Sequence, residues 1–301
     1  MIEFIESVGA STIRIATIYI LAATGSNFAE KSGILNMTIE GNMLVSAFFA
    51  VLVSYHTGSA LLGVLAAVII GIVFSAFYGF TAITAKADQM ISSLAFNLFA
   101  TGITAYLLIT FFGSAGATPR VAAVPEVAIP LLSEIPIIGK ILFVQSPIVY
   151  LCFALVAAAY YVLYHTKFGI RVISVGEHPV AASTVGINVH KIRYMSMLIA
   201  GAMAGLAGAY LSISLSSQFV KNMTAGRGYI ALSTVILGKH KPINVALAGI
   251  LFGFCDALQI RLQQSSVPTQ FIQMLPYVVT VIVIAFFIGK DDNPAAIGQA
   301  Y

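Results

Sequence analysis

Charge is the scarcest commodity in this sequence. Only 9% of its 301 residues are Asp, Glu, Lys or Arg, against about 25% in an average soluble domain. That deficit excludes a water-soluble globular protein. Tryptophan is absent, so aromatic anchoring at a membrane surface falls to tyrosines such as Tyr55, Tyr160, Tyr161, Tyr164 and Tyr229. The two cysteines, Cys152 and Cys255, lie in separate apolar stretches without CxxC spacing. They read as small core residues, not as a disulfide or a metal site. No glycine-rich Walker A lysine loop occurs, which excludes ATP binding of that kind. The five histidines lack partners at metal-ligand spacing, and no enzyme constellation is present. Neither a cofactor nor a metal is expected. The net charge of +4 reflects loops held on one side of a membrane, not a nucleic-acid surface. The opening MIEFIE is acidic, unlike the basic leading region of a cleavable signal peptide.

What remains is apolar: 59% of the residues are hydrophobic and mean hydropathy is +0.97. The apolar runs have helix length and do not alternate over ten residues, so a polytopic all-α membrane bundle is expected and a barrel is not. About nine membrane segments are predicted, over 8–24, 34–55, 59–86, 90–112, 148–165, 194–215, 228–238, 243–260 and 268–289. Gly25-Ser26-Asn27 is read as a break after the first, followed by a polar elbow, FAEKSG. In the third, Gly63, Ala67, Gly71, Ser75 and Gly79 recur at i+4, a stripe that lets another helix approach closely, within the subunit or at a subunit seam. Residues 113–147 carry Pro119, Pro125, Pro130, Pro136 and Pro147; no continuous span fits there, and the stretch is read as an extracytoplasmic loop. Its inner part, VAIPLLSEIPIIGKILF, is apolar enough to lie along the bilayer surface. The segment 228–238 rises only about 16 Å against a core of about 30 Å, so it cannot span alone. Pro276 breaks or kinks the last segment, and a polar tail, KDDNPAAIGQAY, follows.

A polar stretch, 167–193, interrupts these spans. It holds Lys167, Arg171, Glu177, Lys191 and Arg193 with His178 and His190. Pro179 can open a short helix over 180–185, Gly176 can supply the turn before it and Gly186 can stop it. Residues 166–193 are therefore a solvated connection or a docking element for a cytoplasmic partner. With this loop inside, the cytoplasmic set of nine cations (Lys31, Lys86, Lys167, Arg171, Lys191, Arg193, Lys239, Lys241, Lys290) outweighs the six opposite (Arg14, Arg120, Lys140, Lys221, Arg227, Arg261). The amino terminus is then outside and the carboxy terminus cytoplasmic. Segment, polar elbow and glycine-led helix occur at 13–54 and again at 194–238 with opposite predicted orientation, a pseudo inverted repeat of the kind that marks transporters.

Within the spans, Glu40 would cost about 2.5–3.5 kcal/mol against lipid and must face protein or water. Asn36, Asn42 and Asn97 are candidates to line the same path, with Asp256 marking the second half. The competing reading is structural: such groups satisfy backbone loosened at the elbows. An ion-coupled secondary transporter would use carboxylates of this kind, although no cluster of them stands out.

The loop motif FGIRVISVGEHPVAASTVGI resembles the coupling loop of ABC-importer permeases in the family serving branched-chain amino acids, simple sugars and nucleosides. The resemblance implies that a short helix carrying Glu177, His178, Pro179, Val180, Ala181, Ala182 and Gly186 fits a groove on an ATPase. SNFAEKSGILNMTIEGNMLVSAF, with Glu30, Gly33, Asn36, Glu40 and Gly41, is similar to the nucleoside-type signature. So is GRGYIALSTVILGKHKPINVALAGILFGFCDALQ, with Gly226, Arg227, Gly228, Ala231, Gly238, Lys239, Pro242, Gly253 and Asp256. The likeness covers roughly 19–264. Met37 and Thr38 depart from the family's smaller, more apolar pair, and the Gly-Lys-x-x-Pro version favours nucleosides. The resemblance implies one transmembrane permease domain, 1–301, multi-pass in a bacterial cell membrane. Its implied partners are a second homologous permease, cytoplasmic ATPases and an extracytoplasmic substrate-binding lipoprotein. Riboflavin or a simple sugar is the alternative cargo.

Overall fold

Backbone in hydrocarbon has to close its own hydrogen bonds, and the apolar runs of this chain do so as helices. The computed structural model describes residues 2–130, 135, 138–263, 274, 278–279, 281, 293–299 and 301. Its helices are α1 (Ile2–Lys31), α2 (Ile39–Thr57), α3 (Ala60–Gly79), α4 (Gln89–Phe112), α5 (Ile138–Leu142), α6 (Pro147–His165), α7 (Lys167–Glu177), α8 (Pro179–Thr184), α9 (Val189–Ala209), α10 (Arg227–Leu237) and α11 (Pro242–Leu262). π-helical turns extend α3 over Phe80–Thr84 and α9 over Tyr210–Ser216. Two-residue strands, Val127–Ala128 and Val144–Gln145, pair antiparallel. Among the described residues, seven helices are long and apolar enough to cross a membrane, and α10 is a shorter apolar one. The chain is a multi-pass helical bundle. Most of the predicted span 268–289, Asp291-Asp292, and residues 131–134 and 136–137 of the 127–143 surface stretch lie outside the described residues.

The bundle is organised around α1, which packs against α11, α9, α10 and α6. Its flank is buried almost throughout, from Ala16 to Glu30. The stripe on α3 is used within the chain: a Cβ on Gly71 would lie 2.3 Å from the Gly201 carbonyl of α9, and Gly63, Ala67, Ser75 and Gly79 are likewise buried. The opposite faces of α3 and α4 stay exposed through Leu65, Ile69, Phe77, Leu98 and Phe99, as a lipid-facing surface should.

The expected break after the first segment does not form. Gly25-Ser26-Asn27 does not break the first helix, which runs on to Lys31. Gly25 is there because α9 is close: a Cβ would sit 2.7 Å from that of Met203. Ser26 Oγ donates to Glu30 Oε1 at 2.9 Å, one turn on. The elbow instead lies at 32–38, opened by Gly33 at φ +88, and α2 starts five residues later than expected.

The connections sort into two ends. At one, 113–121 lies along 217–221 through Thr118 N–H to Phe219 O (2.9 Å), Val121 N–H to Ser217 O (2.8 Å) and Lys221 N–H to Gly116 O (2.8 Å). Arg14 joins that end by an ion pair to Glu126 at 2.8 Å. At the other end, the elbow after α1, helices α7 and α8, the α10–α11 turn and residues 293–299 gather together. Lys31, Lys167, Arg171, Arg193, Lys239 and Lys241 thus lie at one end, and Arg14, Arg120 and Lys221 at the other.

Candidate functional site

The two glycine-led stretches meet inside the bundle. Glu40 stands in the first turn of α2 and its carboxylate accepts from Gly226 N–H (Oε1, 2.8 Å) and Gly228 N–H (Oε2, 2.7 Å). It thereby satisfies orphan donors at the start of α10 and sets a negative charge at the positive end of that helix. Gly228 permits this contact, since a Cβ would lie 2.5 Å from the Glu40 Cα. Asn97 of α4 ties in the same elbow: its Oδ1 accepts from Gly41 N–H at 2.9 Å, and its Nδ2 donates to Met37 O (2.9 Å) and Tyr229 Oη (3.1 Å). At the start of α4, Gln89 accepts from Leu35 N–H at 2.7 Å, and Tyr78 Oη donates to Leu35 O at 2.6 Å. From Gln89 to Asn97 is just over two helical turns, about 12 Å. The elbow therefore climbs from one end of the bundle toward its middle, where α10 begins.

Not every predicted site residue joins this junction. Asn36 Oδ1 accepts from Thr38 Oγ1 at 2.8 Å within the elbow. Asn42 faces the other way, donating to Gly71 O (3.1 Å) and Ser75 Oγ (2.8 Å) across α3. Asp256 sits on the α1–α11 seam, where it accepts from Tyr19 Oη. Next to the junction, Thr224 Oγ1 and Arg227 Nε are buried with no hydrogen-bond partner among the described residues. An apolar cavity of about 670 Å³ between α2, α3 and α4, lined by Phe49, Phe74, Phe96 and Phe99, contains none of the predicted polar residues.

A second junction ties the polar loop to the elbow. A Cβ on Gly176 would lie 2.1 Å from Lys31 O, so α7 presses directly on the end of α1. This corrects the reading of Gly176 as a turn: it lies inside α7, which continues to Glu177. Residues 293–299 strap over the contact, with Ala296 N–H to Gly176 O (2.9 Å) and Gly298 N–H to Gly33 O (3.1 Å). Arg193, 1% exposed, lies beneath and donates from Nε to Ser32 O (3.2 Å) and from Nη1 to Gln299 O (3.0 Å). His240 stands 3.5 Å from Glu30 in a fully buried pair and bonds Asn293 Oδ1 at 2.9 Å. The sequence names Arg193 only as a loop cation and Glu30 only as part of the signature motif, and nothing in it pairs Glu30 with His240. Arg193 was readable: it falls at helical spacing among Val189, Ile192, Ser196, Met197 and Ala200, all on the buried face of α9.

The short helix itself forms where proline and glycine predict, as α8 with Pro179 at its first turn and Gly186 at φ +83 just beyond it. Its faces are unequal. Val180 and Val185 are 67% and 75% exposed, with Ala181 and Thr184 beside them. Ala182 is buried against Val172, Val175 and Val189. Of the predicted coupling residues, Ala182 thus anchors the helix, while Val180 and Ala181 face outward; Glu177 and His178 are exposed at the α7–α8 corner.

A family model described as branched-chain amino acid transport system permease component matches residues 10–284. The guanosine ABC transporter permease protein NupQ of Bacillus subtilis is 35% identical, over 100% of this chain and 98% of its own. The nucleoside ABC transporter permease protein NupC of Lactococcus lactis is 34% identical, again over 100% and 98%. A putative glucose ABC transporter permease protein, TsgC13 of Haloferax volcanii, is 32% identical over 97% and 96%. No solved structure matches. Spans, interrupted elbows and exposed short helix thus accompany a match across nearly the whole sequence, and the chain belongs to the branched-chain amino acid transport system permease family, as a multi-pass membrane component and not an enzyme.

Proposed function

We propose that this chain is one permease subunit of an ABC importer for nucleosides, working with a second permease, cytoplasmic ATPases and an extracytoplasmic substrate-binding lipoprotein. The observation that carries the cargo is end-to-end similarity to two permeases named for guanosine and nucleosides. The similar degree of identity to a putative glucose permease supports a sugar as the second reading. In the proposed mechanism α8 rests in a groove of the ATPase by its exposed Val180–Val185 face, with the 166–193 loop in the cytoplasm. Movement of α8 passes through α7 and Gly176 to the end of α1 and the elbow, because backbone contact there leaves no slack. The elbow carries Glu40, so its displacement would loosen or tighten the cap on α10 and open the path between the two interrupted units. Thr224 Oγ1 and Arg227 Nε, unpaired among the described residues, offer polar atoms beside that path, suited to the hydroxyls and base of a nucleoside. The path residues are proposed as Asn36, Glu40 and Asn97, with Asn42 and Asp256 bracing the helices behind them.

Uptake of labelled guanosine by the whole complex, competed with unlabelled nucleosides, glucose and riboflavin, tests the cargo. Competition by nucleosides alone is the expected result. Competition by glucose but not by nucleosides would move the assignment to the sugar reading.

A further inference from the structure

Three cations that the sequence scatters converge on one groove. Lys167 and Arg171 stand one turn apart on α7, Lys191 stands in the first turn of α9, and all three line a cavity of about 550 Å³ between these helices. Phe168 and Ile192 line it as well, and Met195, 41% exposed, continues the apolar surface along α9. No acidic residue among the described ones borders the groove. Among the described residues none of these three cations has an acidic partner. Like charges gathered without counterions raise the free energy of the fold, and an anion placed between them relieves it.

The surroundings of the groove point to the level of lipid headgroups. α7 follows directly on α6, a helix of membrane-spanning length, and the last two turns of α6 present Tyr160, Tyr161 and Tyr164 outward, the aromatic belt of a membrane boundary. α7 itself turns Val172 and Val175 inward while Arg171 faces outward, as an interfacial helix does. We infer that this groove binds the headgroup phosphate of an anionic phospholipid, with Lys167, Arg171 and Lys191 around the phosphate and Phe168, Ile192 and Met195 along the glycerol and first acyl carbons. Basic pockets between membrane helices are known to hold such headgroups. Free inorganic phosphate would satisfy the cations and leave the apolar wall wet. A protein partner is already offered a different surface, the exposed apolar face of α8. Where the proposed coupling role of α8 holds, a lipid here would steady α7 against the membrane while α8 moves.

The test uses the full chain in detergent micelles with equal amounts of phosphatidylglycerol and phosphatidylcholine, followed by native mass spectrometry. One phosphatidylglycerol should be retained in preference to phosphatidylcholine. Arg171→Gln and Lys191→Gln, both on exposed side chains, should each weaken that retention about fivefold, the loss expected per basic residue at a membrane surface. Lys86→Gln, outside the groove, should leave it unchanged. Equal retention of the two lipids by the wild-type chain overturns the proposal. So does displacement of phosphatidylglycerol by millimolar inorganic phosphate, which would mark a plain anion site. Loss of ATPase co-purification in the groove variants with lipid retention intact would make the groove a protein-docking surface and overturn it equally. Retention in micelles does not depend on which way the chain crosses the membrane. If a cysteine at Ser183 reacts from outside intact cells, the cytoplasmic reading of the loop fails while the groove result stands by itself.

Discussion

A carboxylate within a membrane span persists only where protein or water satisfies it, and Glu40 is satisfied by two backbone N–H groups 186 and 188 positions away. The requirement was legible in the sequence; the partner was not, because nothing local ties position 40 to position 228. Hydrogen bonds to a charged group are worth about 1.5–3 kcal/mol each when broken on one side. Glu40→Gln keeps one acceptor and turns an NH₂ toward the second N–H, so the cap on α10 should lose about that much. The expected outcome is a lower melting temperature in detergent and at least a tenfold fall in uptake by the complex, with membrane insertion retained. Wild-type melting and uptake in Glu40→Gln would mean the cap is dispensable. Asn42 and Asp256 looked equivalent to Glu40 in composition, yet they brace α2 on α3 and α1 on α11. Which polar side chain reaches the junction depends on helix rotation, and periodicity alone leaves that rotation open when a helix is apolar nearly all round.

At the scale of elements, α8 shows local chemistry at work. Proline at its first turn and glycine beyond its last specify a short helix without tertiary help. Its orientation is another matter, since six residues carry too little pattern to show which side is buried. The structure turns Ala182 inward, so Ala182→Arg should damage the packing of α7, α8 and α9 and lower the melting temperature rather than report on docking. Val180→Asp, on a side chain 67% exposed, should leave the melting temperature within a few degrees of wild type and abolish co-purification of the ATPase. Undiminished ATPase association in Val180→Asp would remove the docking role from this face. The same contrast explains Gly25 and Gly176. Both were read as backbone punctuation, and both prove to be points where one helix meets another element too closely for a side chain.

For the whole molecule, the distribution of charge predicted which connections share an end, and the hydrogen bonds between 113–121 and 217–221, and between 293–299 and the elbow, agree with it. The sign of the orientation is a matter for the membrane. With Cys152 and Cys255 replaced, cysteines at Ser59 and Ser114 should react with an impermeant maleimide on intact cells. A cysteine at Ser183 should react only after permeabilisation. Labelling of Ser183→Cys from outside would reverse the topology and remove the ATPase from the α8 side.

The sequence by itself determined the class of the molecule. Too few charges and helix-length apolar runs leave a polytopic helical bundle as the only way to satisfy the backbone in lipid, and local proline and glycine determined where α8 starts and stops. Tertiary structure alone decided that α1 runs unbroken through Gly25, that the strap of 293–299 closes over Arg193, and that Glu40 meets α10 while Asn42 and Asp256 do not. The reason is physical. Whether a glycine bends a helix or admits a neighbour, and whether a polar group is orphaned or paired, depends on what packs against it, and in this bundle those neighbours come from distant parts of the chain.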